Sequence, residues 1–201
     1  MGNLRSAAKA LEHVGAEVAV TSSRHDLAEA DALILPGVGA FPEAMRQIAA
    51  RDLAGPIRER AAAGTPLLGI CLGMQLLFEF SVEHGGAAGL GLLPGRVEAL
   101  KAGDEKLPHI GWSAVAPRRP SPLTAGLGPE GEPFYFVHSF VAHPEPSQLL
   151  ATSTHGEEFA AIVGDGNVLG TQFHPEKSSA AGLRMLSEFV AVASKAPAGV
   201  S

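Results

Sequence analysis

Residues 66–77 read Pro-Leu-Leu-Gly-Ile-Cys-Leu-Gly-Met-Gln-Leu-Leu, an apolar run in which two glycines flank a cysteine. The run predicts a buried strand that turns sharply at Cys71 and continues as a helix, an arrangement typical of enzymes with a nucleophile at such a turn. The glycines lack a Cβ, so the turn can pack tightly. Cys71 would then lie at a helix N-terminus, where free N–H groups favour a thiolate. A small buried hydrophobe is the alternative, and the glycines favour the nucleophile.

Strands and helices alternate around this turn. Apolar positions at helical spacing over 4–14 predict an opening helix. The pattern then predicts further elements, namely strands over 17–21 and 31–35, a helix over 41–63 broken near Gly55-Pro56, a strand over 65–70 and a helix over 74–80. This alternation favours a parallel α/β sheet with helices on its faces.

The second half of the chain predicts antiparallel structure. Short segments of high β propensity, 134–141 and 159–163 among them, stand between Pro, Gly and Asp clusters. The pair Asp165-Gly166 signals a tight hairpin, and a closing helix is predicted over 179–193. We therefore expect an α/β fold with a mostly parallel central sheet, flanking helices and an added antiparallel sheet. It would form one domain over 1–195, followed by a disordered tail at 196–201.

Composition excludes several classes of protein. The chain has 201 residues, of which 46% are hydrophobic and 18% charged, so it can bury a large core. With 15 basic and 21 acidic residues the formal charge is −6, which argues against a nucleic-acid partner. A single cysteine allows no internal disulfide and indicates the reducing cytoplasm. No membrane span, metal site or cofactor site is expected, since glycines and a proline interrupt the uncharged run 61–78 and no ligand spacing fits zinc or calcium.

A thiol nucleophile needs a base, and one of the eight histidines has a suitable context. His174 lies in Gly-Thr-Gln-Phe-His-Pro-Glu-Lys at 170–177, where it follows a short predicted strand and precedes Glu176 by two residues. In an extended chain these two side chains project to the same side, so the carboxylate could orient the imidazole. The tripeptide alone is more often an ordinary surface pair. Its occurrence together with the cysteine turn favours a Cys71, His174 and Glu176 triad.

Acyl chemistry at a thiolate also needs donors to an oxyanion. The backbone N–H of Leu72 is one candidate, because it begins the helix after the cysteine. A second donor could come from Leu-Pro-Gly-Val-Gly-Ala-Phe at 35–41, a glycine-flanked loop that follows a strand, although this loop could equally be a simple tight turn. Since ligands bind at the carboxyl ends of strands in open α/β sheets, these segments should converge.

The motifs together resemble the class I glutamine amidotransferases and, more closely, the glutaminase subunits of imidazole glycerol phosphate synthases. Six segments carry the resemblance and span nearly the whole chain: 1–6, 36–41, 69–77, Leu-Pro-His-Ile-Gly-Trp at 107–112, Phe-Tyr-Phe-Val-His-Ser at 134–139, and 172–179. The resemblance implies that Cys71 attacks the side-chain amide of L-glutamine, that His174 protonates the departing ammonia and that Glu176 orients His174. Leu72 N–H and the Val38–Gly39 peptide would supply the oxyanion hole.

The same resemblance implies a substrate site and a partner. The glutamine site would be lined by Gly39, Gln75 and the backbone of His138, Ser139 and Phe140. Ammonia would pass, within a heterodimer, to a cyclase subunit of (β/α)8 fold that makes imidazole glycerol phosphate and an aminoimidazole ribotide in histidine biosynthesis. The face toward the cyclase would include Asn3, Trp112 and Lys177.

The sequence departs from this family in two respects. It begins at Met1-Gly2-Asn3, where relatives place a further strand before the matching segment, so we expect a missing strand that leaves apolar surface and backbone groups unpaired. Position 113 is Ser where the family commonly has Asn. Two alternatives stay open: a catalytically silent binding or regulatory subunit of the same fold, and a cysteine hydrolase that acts on another amide or ester.

Overall fold

The computed structural model describes residues 2–195, and side chains from Leu4 onward. The helices in this range are α1 (Gly2–His13), α2 (Arg24–Glu29), α3 (Phe41–Ala50), α4 (Ala54–Ala62), α5 (Leu72–Leu76) and α6 (Ser179–Ala193). The strands are β1 (Leu33–Gly37), β2 (Leu67–Cys71), β3 (Phe78–Ser81), β4 (Ala87–Ala88), β5 (Leu93–Ala99), β6 (His109–Pro117), β7 (Glu132–His138), β8 (Phe140–Pro144), β9 (Leu149–His155), β10 (Glu157–Asp165) and β11 (Val168–Thr171). The tail expected at 196–201 lies outside the described residues.

The larger sheet has seven strands in the order β1-β2-β11-β10-β9-β6-β7. Strands β1, β2 and β11 run parallel, and the other four extend the same sheet in antiparallel fashion. Gly37 pairs with Cys71 and Ile70 with Thr171, so the three parallel strands end at the same edge. The loops that follow them therefore meet there, as expected for an α/β sheet.

A smaller sheet of order β4-β3-β5-β8 lies beside the first. The predicted segment 134–141 is divided between the two sheets, since β7 belongs to the larger sheet and β8 pairs with β5. The chain crosses between the sheets at Ser139, which lies between the two strands. The backbone from His138 to Phe140 is thus fixed from both sides.

Two apolar cores cover the two faces of the larger sheet. On one face, Leu68 and Ile70 of β2 pack in a cluster that includes Phe189 of α6. On the other, Leu67 packs in a cluster that includes Ile57 of α4. The alternation along β2 places every residue of the strand in the interior, which explains its continuous apolar sequence. The expected α/β class with flanking helices and a second sheet is confirmed, as are the Asp165-Gly166 hairpin and the closing helix. The larger sheet is mixed rather than mostly parallel, because only β1, β2 and β11 of its described strands run parallel.

The predicted strand over 17–21 is wrong. In the described part of the chain this segment pairs with no strand, and β1 forms the edge of its sheet. Val18 packs against the core, whereas Val20 is 65% exposed. The β-branched residues supply β propensity, but a strand also needs a neighbouring strand to bond.

Two predicted helix boundaries are also wrong. The break within 41–63 occurs after Ala50, where Asp52 adopts a positive φ of 53°, and Gly55-Pro56 instead lies in the first turn of α4. Proline is tolerated there because first-turn N–H groups have no helical partner. The helix predicted over 74–80 ends at Leu76, and Phe78 begins a strand that pairs with Leu93. Pairing between segments distant in sequence overrides the local helical pattern.

Candidate active site

Cys71 ends β2 and immediately precedes α5. Its φ is 55° and its ψ is −112°, a conformation that costs a non-glycine residue about 1–3 kcal/mol. The residue is 6% exposed, and its Sγ lies 3.7 Å from the carbonyl oxygen of Val137. The predicted strand and sharp turn are confirmed, and a helix follows directly at Leu72, with the backbone strain at the residue that carries the thiol.

Close backbone contacts explain the flanking glycines. A Cβ on Gly73 would lie 1.6 Å from the carbonyl oxygen of Leu35, and one on Gly69 would lie 2.6 Å from that of Gly73. No side chain fits at either distance. The first turn of α5 can therefore lie directly on β1 and β2, which fixes the position of Cys71.

His174 and Glu176 form a buried pair after β11. His174 Nδ1 and Glu176 Oε1 are 2.9 Å apart, and their side chains are 1% and 0% exposed. Glu176 lies in a 3₁₀ turn, Pro175–Lys177, rather than in the extended chain expected. Proline is favoured at the first position of such a turn, which is closed by the bond from Lys177 N–H to the carbonyl oxygen of His174 and returns the carboxylate to the imidazole. The predicted pairing of His174 with Glu176 is thus present, but the backbone between them has a turn conformation rather than an extended one.

The backbone of His174 is held by the neighbouring strand. Its N–H donates to the carbonyl oxygen of Tyr135 at 2.9 Å. Ser178 Oγ donates to the carbonyl oxygen of His174 at 2.6 Å and accepts from Tyr135 N–H at 3.0 Å. These bonds fix the imidazole relative to β7, which also carries the Val137 carbonyl beside Cys71.

The Cys71 sulfur and the carboxylate of Glu176 both favour the charged form of His174. Burial alone would lower the pKa of His174, but these two partners outweigh it and raise that pKa to about 9. The structure therefore groups the three predicted side chains, with Glu176 hydrogen-bonded to His174 at 2.9 Å and the Cys71 sulfur acting on the same imidazole. The arrangement can supply a thiol nucleophile and a proton carrier to a reacting carbonyl.

A buried amide pair lies next to the thiol. Gln75 Nε2 donates to the carbonyl oxygen of Phe140 at 2.9 Å and to Gln172 Oε1 at 3.0 Å. Gln172 Nε2 in turn lies 3.8 Å from Cys71 Sγ. Gln75 and the 138–140 backbone were predicted to line the substrate site and are adjacent here. Gln172 was missed; its place two residues before His174, at the end of a predicted strand, was the available signal.

The two candidate oxyanion donors directly follow the ends of neighbouring strands, β2 and β1. Leu72 begins α5 directly after Cys71, and the loop with Val38 and Gly39 follows Gly37, the register partner of Cys71. Val38 is exposed, and Gly39 has a φ of 104° that favours glycine. The structure thus places this loop at the predicted edge of the sheet.

An exposed aromatic face adjoins the triad. Trp112 is 52% exposed and contacts Tyr135 edge to face, with ring centroids 5.9 Å apart. Lys177 Nζ lies 5.9 Å above the same Tyr135 ring, so two of the predicted partner-facing residues are adjacent. The side chain of Asn3, the third, lies outside the described side chains. Tyr135 joins the pair and was not predicted, since only cross-strand pairing places it beside Trp112.

Other sequence expectations concern the rest of the chain. His13 and His84 are exposed, as predicted for ordinary histidines. Between residues 2 and 195, no group of three or more His, Cys, Asp or Glu side chains is arranged to hold a metal ion. No helix described in that range combines the length and apolarity that a membrane crossing requires.

Known proteins share both the sequence and the fold of this chain. The profile of the glutamine amidotransferase class-I family matches residues 1–193. The subunit HisH of imidazole glycerol phosphate synthase from Moorella thermoacetica is 50% identical over 190 residues, which cover 94% of this chain and 90% of that protein. HisH from Bacillus cereus (strain G9842) is 47% identical over 192 residues, covering 96% and 91%.

Solved structures agree with these relatives. A crystal structure of a glutamine amidotransferase superposes with a TM-score of 0.75 at 23% identity, covering 96% of this chain and 95% of the other. The structure of PurLQS from Thermotoga maritima gives 0.65 at 21% identity, covering 94% and 92%. These likenesses support the fold, and the sequence relatives support the subfamily. The chain therefore belongs to the class-I glutamine amidotransferase family and, within it, to the HisH subunits of imidazole glycerol phosphate synthases.

Proposed function

We propose that this protein is the glutaminase subunit of an imidazole glycerol phosphate synthase and hydrolyses L-glutamine to glutamate and ammonia. One observation carries the proposal: the buried His174 is hydrogen-bonded to Glu176 and has its pKa raised by the sulfur of Cys71, which lies at a strained turn between strand and helix. This arrangement has the parts of a nucleophile, a base and an orienting carboxylate. The HisH relatives, 45–50% identical over 94% of the chain, support the same activity.

In the first half of the reaction, the Cys71 thiolate attacks the carbonyl carbon of the glutamine side chain. The negative charge moves to the carbonyl oxygen, where Leu72 N–H and the Val38–Gly39 peptide are proposed to stabilise it. His174, protonated beside the thiolate, transfers its proton to the amide nitrogen as the C–N bond breaks. Ammonia leaves and a thioester remains on Cys71.

In the second half, water replaces ammonia. Neutral His174 takes a proton from water, which attacks the thioester carbonyl, and the C–S bond breaks to release glutamate. The thiolate and the imidazolium are thereby restored. Glu176 holds the Nδ1 side of the imidazole throughout, so that the other ring nitrogen faces the reacting atoms.

Substrate glutamine is proposed to bind between the elbow, which is the turn from β2 to α5 at Cys71, and Ser139, where the chain crosses between the two sheets. Gly39 and Gln75 would contact it, with the backbone of His138, Ser139 and Phe140 along its length. Gln172 would fix the Gln75 amide, to which it is hydrogen-bonded. The side chains of Gln75 and Gln172 are both buried, so their geometry is set before the substrate binds.

The ammonia produced would be used by a cyclase subunit of (β/α)8 fold in a heterodimer. The relatives are named as subunits of a synthase, which implies a partner subunit. The exposed face around Trp112 and Lys177 supports docking next to the triad, since Lys177 is adjacent to Glu176 in sequence. We propose Asn3 as a third residue of that face and the cytoplasm as the location.

The test of the function is glutamate release from L-glutamine by this chain mixed with the cyclase subunit of a histidine pathway. We expect glutamate in the mixture, formation of imidazole glycerol phosphate when the ribotide substrate is present, and low activity without the cyclase. A silent regulatory subunit would release no glutamate in either state. Faster release from other amides or esters than from glutamine would favour a different cysteine hydrolase.

Replacing Glu176 by Gln should move the pH dependence of the reaction. The substitution removes a carboxylate that raises the pKa of His174, so that pKa falls. Because His174 must carry a proton to the leaving ammonia, the alkaline limb of kcat/KM should shift to lower pH, with activity reduced on the order of 100-fold. Steady-state rates of the complex across pH check this, and an unshifted alkaline limb would contradict it.

The same variant should alter stability in a direction that linkage fixes. His174 has a folded-state pKa of about 9, above its ordinary 6.5, so its contribution is complete below 6.5 and is lost as pH rises through 9. The thermal unfolding temperature of the wild-type chain should therefore fall as pH rises over this interval. The unfolding temperature of Glu176→Gln should fall less, because the pKa of its His174 is lower. An identical dependence of unfolding temperature on pH in both proteins would contradict the assignment.

Replacing Trp112 by Ala should weaken association with the cyclase while leaving the folded chain intact. An exposed aromatic side chain at the centre of an interface contributes about 2 kcal/mol or more to binding. We expect a Kd raised by about 30-fold, measured by calorimetry, with unchanged thermal unfolding. Val20→Ala, at an exposed apolar residue that is not among the proposed partner-facing residues, is the control. Unchanged affinity in Trp112→Ala would remove this face from the partner interface.

A further inference from the structure

Two buried histidine rings lie behind the proposed substrate site. His109 of β6 and His138 of β7 are cross-strand partners, 3% and 6% exposed. The ring of His109 stacks on that of Phe136 at 5.0 Å and on that of His155 at 4.1 Å. Phe159 packs against His138 with ring centroids 4.9 Å apart. This close packing leaves neither ring free to turn.

The hydrogen bonds of the two rings have only one consistent direction. The Phe140 carbonyl oxygen can only accept, so His138 Nδ1, 3.0 Å away, carries a proton and donates. In a neutral ring Nε2 then accepts, and it lies 3.0 Å from His109 Nδ1, which must donate. His109 Nε2 accepts in turn from Ser113 Oγ, 2.9 Å away. Donation thus runs from Ser113 through His109 and His138 to Phe140.

The surroundings keep both rings neutral, as this direction requires. Burial, followed by the charge of His155, lowers the pKa of His109 to about 4 despite the carboxylate of Glu105. Burial lowers the pKa of His138 to about 3, outweighing its bond to the Phe140 carbonyl, and the nearby His109, His155 and His174 act in the same direction. Protonation of either ring would place the N–H of His109 Nε2 toward Ser113 Oγ, so Ser113 would accept rather than donate and the direction of that bond would reverse.

The two ends of this chain lie at functionally different places. At the inner end, the Phe140 carbonyl oxygen accepts two hydrogen bonds, one from His138 Nδ1 and one from Gln75 Nε2. At the outer end, Ser113 follows Trp112, the exposed residue of the proposed partner face. The chain thus spans β6 and β7 between that face and the glutamine site.

We propose that Ser113, His109 and His138 are positioning residues that hold the Phe140 carbonyl, and through it Gln75, in place for glutamine. The inference rests on the proposed function, because it assigns Gln75 and Phe140 to the substrate site. Neither ring transfers a proton in the reaction. The hydroxyl of Ser113 supplies the first donor.

The test combines variants of His138 with the protonation sites of both rings. In the complex with the cyclase, His138→Leu removes both hydrogen bonds and should raise KM for glutamine about tenfold, with a smaller change in kcat. His138→Asn keeps a donor near the Nδ1 position and should restore most of the loss. His143→Leu, an exposed histidine on β8, is the control and should leave KM unchanged. Thermal unfolding reports whether each variant is folded.

Nitrogen NMR of histidine-labelled protein reads the direction of the chain independently of activity. We expect both rings to be neutral at pH 7 with the proton on Nδ1. A proton on Nε2 of either ring, or a folded His138→Leu with wild-type KM, would overturn the proposal. Should His138→Leu not fold, Ser113→Ala decides, with an expected rise in KM of about threefold. A wild-type complex that releases no glutamate would instead refute the proposed function, and the NMR result would still test the chain.

Discussion

Replacing Cys71 by Ala abolishes glutamine hydrolysis in our proposal, with kcat reduced on the order of 10⁴-fold or more. The reaction loses the atom that attacks the amide, and no other described group takes its place, since Cys71 is the chain's only cysteine. Glutamate release by the variant in complex with the cyclase measures the effect. The cyclase reaction supplied with external ammonia should be retained, because it needs only the partner's own site.

The loss must be separated from misfolding. Cys71→Ala keeps the Cβ at the strained turn and removes one buried sulfur, so the variant should unfold at a temperature close to that of the wild type. The pKa of His174 should fall in the variant, because one of the two groups that raise it is gone. Hydrolysis reduced less than about 100-fold in a folded variant would refute Cys71 as the nucleophile.

Replacing Gly73 by Ala should be among the most destabilising single substitutions in the chain. The added Cβ would lie 1.6 Å from the Leu35 carbonyl oxygen, a backbone atom in a sheet strand that cannot turn aside. Either α5 moves away from β1 or the strand distorts, and we expect a loss of about 3 kcal/mol or more in the free energy of unfolding. Urea unfolding followed by circular dichroism measures it.

The same substitution at Gly128 is the matched control. Among the described residues, no atom lies within 4 Å of the Cβ that Ala would place there. Gly128→Ala should therefore change the free energy of unfolding by less than about 1 kcal/mol. Similar stabilities for the two variants would mean that α5 does not lie as close to β1 as the structure has it.

The sequence pattern predicted those elements of the fold whose structure is set by residues close to one another in the chain. The elbow at Cys71, the hairpin at Asp165-Gly166 and the closing helix all follow from glycine placement and hydrophobic spacing within a few residues. The segment 17–21 and the helix boundary at Leu76 do not, because the first has no strand to pair with among residues 2–195 and the second is set by pairing with a distant strand. Phe78 is a strand residue because β5 lies beside it, which its helical neighbours do not reveal.

The same distinction holds for the candidate site. Cys71, His174 and Glu176 could be predicted because a thiol at a glycine-flanked turn and a carboxylate two residues after a histidine each have a chemical meaning on their own. Gln172 and Tyr135 gain their positions only from contacts with Gln75 and Trp112, across tertiary structure. The His109 and His138 pair is 29 positions apart in sequence and adjacent only through the register of β6 with β7.

Mass spectrometry of the acyl-enzyme tests the central claim most directly. The complex with the cyclase is mixed with L-glutamine, quenched in acid within the first turnover, digested and analysed. A thioester at Cys71 predicts a glutamyl group on the peptide that contains residues 66–77, absent from Cys71→Ala and removed by hydroxylamine. Rapid glutamate formation with no acyl group on this peptide, or with the group on another residue, would contradict hydrolysis through the Cys71 thiol.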